Sequence, residues 1–548
     1  MTGPETRQDF DPISLEIMWS RLIGIADEMW TTVLRTAVST IIGAAQDFGC
    51  EILDANGSSL SHSNRSMPVF NLVMPNVARE VLKKYPKETM QPGDVYITND
   101  PWICAGHLDD IATVTPVFRN GSIVAFTVVV AHTSSIGGSL SSRTVRDLYE
   151  EGLQIPILKL YDAGEPNEDV FAFIRENVRT PEMVLTDVEA QVTANELGNR
   201  RITAFLDEYG MSDLSALAET VQAYSERAIR NAISDLPDGV YENEVQIDGL
   251  GDPLTLRCRV EISGSDLTVD YTGSDPQQPR GGINSTLIYT QAHTVYPLKC
   301  LLSPDVPANE GAFRPISATA PEGSILNCRK PASVGSRTRT GWHIHSLLFG
   351  ALEPIMPDRV QAGNGLMNSV HVYGQEPDGD FYNAHFFLAG GRGASKGRDG
   401  IGRNCFPSSA RNVPVEVLEL RTPVLVRNRS LRPDSAGDGQ WRGSFGHQFE
   451  VSRLPGFEEP VSLFFDPDRL QFPPRGLSGG EDGPVSALYR NGTHLTADEI
   501  AAGQVMLDDP DARFEWHIPG GAGYGDPAKR DPDERARDER SGLVSVEK

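Results

Sequence analysis

The chain is short of positive charge. Its 49 Lys and Arg residues stand against 75 Asp and Glu, a formal net charge of −26. No basic stripe offsets this, so the surface repels phosphate backbones and anionic lipid, which excludes nucleic acid and membrane as partners. Long apolar runs are missing too; none approaches the roughly 20 residues of a spanning helix. The opening MTGPETRQDFDP is polar and acidic, unlike a secretory signal. Cysteine is scarce. Cys50, Cys104, Cys258, Cys300, Cys328 and Cys405 are scattered without a CxxC pair. That argues against a zinc ribbon and a disulfide scaffold, and fits a reducing, cytoplasmic location. There is no GxxxxGK followed by Ser or Thr. The nearest segment, GGRGASKGRDGIG at 390–402, has its glycines and lysine in the wrong order and reads as a turned loop. GLSGG at 476–480 formally matches GxSxG. PPR before it and EDGP after it supply neither strand nor helix, so Ser478 is not expected to be a nucleophile.

What is present starts with size: 548 residues suffice for two to four domains with sizeable cores. Residues 13–46 carry Leu15, Met18, Trp19, Leu22, Ile25, Ala26, Met29, Trp30 and Val33 at helical spacing, after an Asp11-Pro12 start. CEILDANGSSLSHS reads as strand, turn, strand around Asn56-Gly57. A helix follows over 68–86, then a short strand, Val95 to Thr98, that delivers Asn99-Asp100 to a loop. Residues 142–235 read as mainly helical, the last helix opening with Ser212 as its cap. From about 239 the pattern changes to short strands and Gly/Pro turns, with a helix near 340–355. The expected organisation is an N-terminal metal-site domain over 1–238, a mixed, β-rich domain over 239–527 and a charged tail over 528–548. The tail reads as a frayed helix, a disordered segment or an interaction arm. The fold class is α+β, multi-domain, with a helix-rich first half.

The chemistry concentrates in one predicted hairpin, GHLDDIATVTPVF-RNGS-IVAFTVVVAH. Asn120-Gly121 favours a tight turn because both positions need φ > 0. Paired residue numbers then sum to about 241. Asp110 falls beside the partner of His132, and His107 sits in the approach to the strand. Pro116 inside the first strand implies an edge position or a bulge. Two imidazoles and one carboxylate converging at the open end suit a divalent transition metal with coordination positions left free. The plainer alternative is a set of ordinary loop and strand-end polar residues. His343 and His345, two apart on a helix, read as polar or interface residues, and the remaining histidines carry no signal. Asp94, Asp100, Asp109, Glu150 and Glu151 are nearby carboxylates that could act as a base or support an imidazole.

Several runs carry a resemblance: PGDVYITNDPWICAGHLDDIATVTPVF, VVAHTSSIGG, EEGLQIP, GGINSTLIYT, SPDVPANEGAFRPI, LRPDSAGDGQWRG and PGGAGYGDP. Together they resemble the hydantoinase B/oxoprolinase family over nearly the whole chain. That family contains N-methylhydantoinase B-type subunits and is related to the alpha-type subunits of acetone and acetophenone carboxylases. The resemblance implies a hetero-oligomeric enzyme in which an A-type subunit of the actin-like ATPase class binds ATP. The A side is thought to phosphorylate a carbonyl oxygen of the small-molecule substrate. The activated species is then processed at a B-side metal, zinc, manganese or iron, held by a His-x-x-Asp pair and a later His. These map onto His107, Asp110 and His132, with Asp100 or Asp109 as base or supporting group. The implied reaction is opening of a cyclic amide (hydantoin, 5-oxoproline or lactam). The alternatives are ketone carboxylation and a non-catalytic assembly role. Three positions depart from the usual pattern. Thr133 and Ser135 stand where AHHADIGG has His and Asp, and Phe70 stands where a histidine is usual. These changes make the expected site less polar and remove a candidate base, which favours carboxylation more than the family at large does.

Overall fold

The computed structural model describes residues 10–545 apart from 377, 380 and 403. The hairpin is the spine of the first half. β1 (Phe48–Asp54), β2 (Ser59–His62), β3 (Val95–Thr98), β4 (Asp110–Arg119), β5 (Ser122–His132), β6 (Leu158–Asp162) and β7 (Glu165–Pro166) form one sheet in the order β2-β1-β5-β4-β3-β6-β7. Asn120 and Gly121 take φ of 50° and 79°, as the turn requires. Next to the turn the pairs sum as the sequence implies: Arg119↔Ser122 and Phe118↔Ile123. A bulge between Val117 and Phe118 then moves the register by one, so Asp110 pairs directly with His132. Pro116 lies beside that bulge. Its other neighbour, β3, pairs only as far as Tyr96↔Val114, so no ladder bond is lost there.

Both faces of this sheet are buried. Along β5, Ala125, Val129 and Ala131 pack with Trp30, Met29 and the helix Pro12–Thr36. Phe126, Val128 and Val130 pack with Phe70, Val73, Met74 and Val77 of the helix Phe70–Lys84. Strand periodicity therefore sends Asp110 and His132 to the Phe70 side. Each fully buried valine here contributes about 1.5–3 kcal/mol, so a slip of one residue, which would swap the faces, is strongly opposed. The first helix follows the expected stripe, with Asp11 Oδ1 accepting from the Ile13 and Ser14 amides at 3.1 Å. It stops at Thr36 rather than running to 46. A short turn, Thr40–Gly43, follows before β1. The helix Ser215–Ser234 is not capped by Ser212; Asp213 accepts from the Ser215 amide at 2.8 Å instead.

The second half contributes three further sheets among the described residues. β8 (Gly239–Ile247), β9 (Leu254–Ser263), β10 (Asp266–Asp270) and β11 (Ile316–Thr319) form one, in the order β11-β10-β9-β8. β12 (Met367–Gln375) and β13 (Phe381–Ala389) pair antiparallel and extend through Val461–Asp466 to Gln504–Leu507. The last sheet runs through Val424–Leu431, His447–Arg453 and Arg513–Ile518. The molecule is α+β throughout. Within the described part of the tail, Pro532–Arg540 is helical, and buried Asp538 accepts from Arg442 at 2.7 Å and Arg530 at 2.8 Å. No helix among the described residues is long and apolar enough to cross a membrane. The 390–402 and 476–480 segments are loops, and Ser478 donates to Glu353 at 2.7 Å.

Candidate functional site

Cross-strand pairing places Asp110 and His132 side by side, with His132 Nδ1 3.1 Å from Asp110 Oδ1. His107 arrives from the loop before β4, its Nε2 2.8 Å from Asp110 Oδ2. That loop is pinned from two sides. Gly106, at φ +83°, turns where a Cβ would sit 2.9 Å from the Tyr289 Cβ, so a side chain there would be both strained and crowded. The Arg337 Nε donates to the Ala105 carbonyl at 2.8 Å. One ligand atom from each of His107, Asp110 and His132 lies within 4.8 Å of the others, and all three residues are buried.

These residues fit a metal on their own chemistry. The His107 nitrogens are buried and contact carboxylate oxygens, yet neither ring nitrogen has a partner in hydrogen-bond geometry. Groups that converge on a common point are placed in this way, whereas groups bonded to each other are aligned. On the far side of the ring, His107 Nδ1 is 3.1 Å from Asp109 Oδ2, the usual way a ligating imidazole is oriented.

The electrostatics are tightly coupled. Burial raises the Asp110 carboxyl, but His107, His132 and Arg337 outweigh that and hold it well below its ordinary value. The Arg337 Nη2 donates to Asp110 Oδ2 at 2.9 Å. For Asp109, burial is again outweighed, by the close contact and charge of His107, leaving about 2. A carboxylate that weakly basic serves better to orient His107 than to accept a proton. Burial lowers His132, but Asp110 bonds to it and raises it to about 9.

His107 and His132 border a cavity of about 190 Å³. One water needs about 10–15 Å³, so a small organic molecule can enter. Of the predicted site residues, His107, Asp109 and His132 line this cavity and Asp110 sits behind them. Asp100 does not line it, which corrects the expectation for that residue. Its oxygens bond the Trp102 amide at 3.0 Å, Gln154 at 3.1 Å and Lys330 at 3.2 Å, so it is a turn cap and ion-pair partner. The three departures, Phe70, Thr133 and Ser135, all line the cavity.

Sequence reasoning missed several lining residues. Asp47 sits next to His132 across the β1–β5 pairing, its carbonyl accepting from the His132 amide at 3.1 Å, and burial raises its carboxyl to about 6. His371 and His385, read as isolated, face each other across β12 and β13. The His385 ring lies 5.4 Å from that of His132. Glu151, one of the nearby carboxylates the sequence did offer, also lines the cavity and anchors one oxygen on the Val334 and Gly335 amides, both at 2.7 Å. Burial, only partly offset by those amides, raises it to about 8. Nothing local in the sequence marks Asp47, His371 or His385, because each reaches the cavity through pairing of distant segments. His343 does behave as an interface residue, paired with Asp468 at 3.1 Å.

The hydantoinase B/oxoprolinase family model matches residues 11–527, and the chain belongs to that family. The B-type subunit of a candidate D-/L-hydantoinase from Pseudomonas sp. strain NS671 is 32% identical, covering 98% of this chain and 94% of that one. The crystal structure of the ATP-dependent caprolactamase from Pseudomonas jessenii superposes with a TM-score of 0.88 at 27% identity, covering 98% of this chain and 95% of that one. Nucleotide-free acetone carboxylase shares the fold, with a TM-score of 0.86 at 18% identity over 98% of this chain and 78% of that one.

Proposed function

We propose that the chain is the metal-holding B-type subunit of an ATP-dependent enzyme that opens a cyclic amide, such as a hydantoin, 5-oxoproline or a lactam. The observation that carries this reading is the buried His107, Asp110 and His132 set, whose two imidazoles line a substrate-sized cavity, in a chain similar along its length to a hydantoinase subunit and a caprolactamase. These three residues would hold zinc, manganese or iron, which supplies Lewis-acid polarisation of a carbonyl and a lowered pKa for bound water. Asp109 orients His107. Arg337 shares the Asp110 carboxylate and fixes the loop that presents His107. Phe70 and its apolar neighbours keep bulk water away from one side of the cavity. ATP would act on an A-type partner in a cytoplasmic hetero-oligomer, since the sequence has no phosphate-binding loop of its own and its relatives are named as subunits.

The test is reconstitution with the A-type subunit. ATP turnover stimulated by a hydantoin, 5-oxoproline or a lactam without bicarbonate is the expected result. No stoichiometric metal, and no loss of activity in His107→Ala, would sink the reading in favour of an assembly role. A second reading, ketone carboxylation, is favoured by one observation: Phe70, Thr133 and Ser135 remove polar groups from the cavity lining itself. Incorporation of labelled bicarbonate into a ketone would select it.

A further inference from the structure

The same cavity has a second charged wall, which the metal reading leaves unused. Arg143, between β5 and β6, and Arg339, two residues beyond Arg337, both line it and are only 7% and 4% exposed. Both lean on one carboxylate: Arg143 Nη1 is 3.1 Å from Asp466 Oδ1, and Arg339 Nε is 3.6 Å from the same oxygen. Arg339 Nη2 also donates to the Asp248 carbonyl at 3.3 Å. The Asp248 carboxylate is committed elsewhere, to the Leu470 and Gln471 amides at 2.6 and 2.9 Å. Arg143 Nε and Arg339 Nε and Nη1 are buried with no hydrogen-bond partner.

Unspent guanidinium donors in a buried setting are costly; Asp466 is in ion-pair contact with both arginines, while the Asp248 charge reaches Arg143 and the Asp468 charge reaches Arg339 without such contact. Burial and the neighbouring Arg339 charge lower the Arg143 value. The other cavity arginines are spent: Arg337 on Asp110 and Ala105, and Arg179 on the carbonyls of Gly137 and Gly138. Hydroxyls of Ser142, Ser336 and Thr338 belong to the same lining.

We propose that Arg143 and Arg339, gathered by Asp466, form an oxyanion subsite that holds a phosphoryl or carboxylate group of the molecule processed in the cavity. Guanidinium forks suit both groups. The inference rests on the reading of this cavity as the working site, and it assigns the cavity two poles: a cation-binding end at His107, Asp110 and His132, and an anion-binding end at Arg143 and Arg339.

The test is calorimetric titration of the full chain with inorganic phosphate and, separately, with acetate, on metal-stripped and metal-loaded protein. Metal-stripped protein is expected to bind at least one of the two, which also tells phosphoryl from carboxylate recognition. Arg339→Gln and Arg143→Gln should each weaken that binding about tenfold. Asp466→Asn removes the competing negative charge and should tighten it several-fold; it also guards against misfolding of the arginine variants, because a gain cannot come from a damaged fold. Failure of metal-stripped protein to bind either anion, unchanged affinity in Arg339→Gln, or no gain in Asp466→Asn overturns the subsite. Elemental analysis of the untreated protein separates the two ideas, since metal content reports on the His107 end alone.

Discussion

The two ends of the cavity differ in how their charges are balanced. At the His107 end carboxylates, imidazoles and a guanidinium contact one another: Asp110 touches both imidazoles and Arg337, and Asp109 touches His107. At the Arg143 end two guanidinium groups divide one carboxylate and keep donors unspent. The first is a closed acidic and imidazole set that suits a cation. The second is an open cationic set that suits an anion. Burial makes both matter, because interactions that water would screen at a surface stay strong in an enclosed site.

Substitutions that abolish one end while sparing the other put this contrast at risk. The largest effect is expected from His107→Ala, which should reduce bound metal to background by elemental analysis and abolish partner-dependent activity, while leaving phosphate affinity of the metal-stripped protein unchanged. Asp109→Asn keeps every ligand but loosens the hold on His107. Metal affinity should fall about 10–100-fold in a chelator competition, with thermal unfolding of the metal-free protein little altered.

Glu151 lies beside the cavity and gives a smaller effect with a defined sign. Its folded value of about 8 lies above the ordinary 4.5, so the folded state holds its proton longer than the unfolded chain. The stability this gives is fully present below about 4.5 and is lost as pH rises through about 8. Glu151→Gln keeps the acceptor for the Val334 and Gly335 amides without the charge. It should therefore stabilise the protein by about 2–4 kcal/mol near pH 9 and hardly at all near pH 4, read by denaturant melts at both values. Arg442→Ala serves as a control remote from both ends. It removes one partner of buried Asp538, should loosen the tail helix by about 1–3 kcal/mol, and is read by protease cleavage within 528–545. Metal and phosphate binding should not change.

The convergence of His107, Asp110 and His132 was legible because it is local. A hairpin closed by Asn120-Gly121 fixes its own register, and the 22 residues from Asp110 to His132 need no other element to be paired on paper. The bulge at Val117 shifted that pairing by one step, and Pro116 had already signalled it. The first helix and the strand pair around Asn56-Gly57 were readable for the same reason, since an apolar period or a turn dipeptide carries the information. Asp100 was misplaced because closeness in sequence to His107 says nothing about where a turn sends a side chain. Asp47, His371 and His385 were invisible: each depends on which distant strand lies alongside, and one sequence does not encode that in any short pattern. Arg143, Arg339 and Asp466 are further still, on three separate segments. The tail was read from composition as a frayed helix, a disordered piece or an interaction arm, whereas its docking depends on Arg442 meeting Asp538 and on the tail's own Arg530 meeting Asp399.

By itself, then, the amino-acid order determined the acidic, nucleotide-motif-free character of the chain, its family, and the trio His107, Asp110 and His132, because turn chemistry and strand alternation act over a few residues. Only the folded arrangement decided which carboxylates support that trio and which face the arginines across the cavity. The physical reason is that a buried charge is stabilised by whatever lies within a few ångströms, and those neighbours are brought there by packing of the sheets rather than by their place in the sequence.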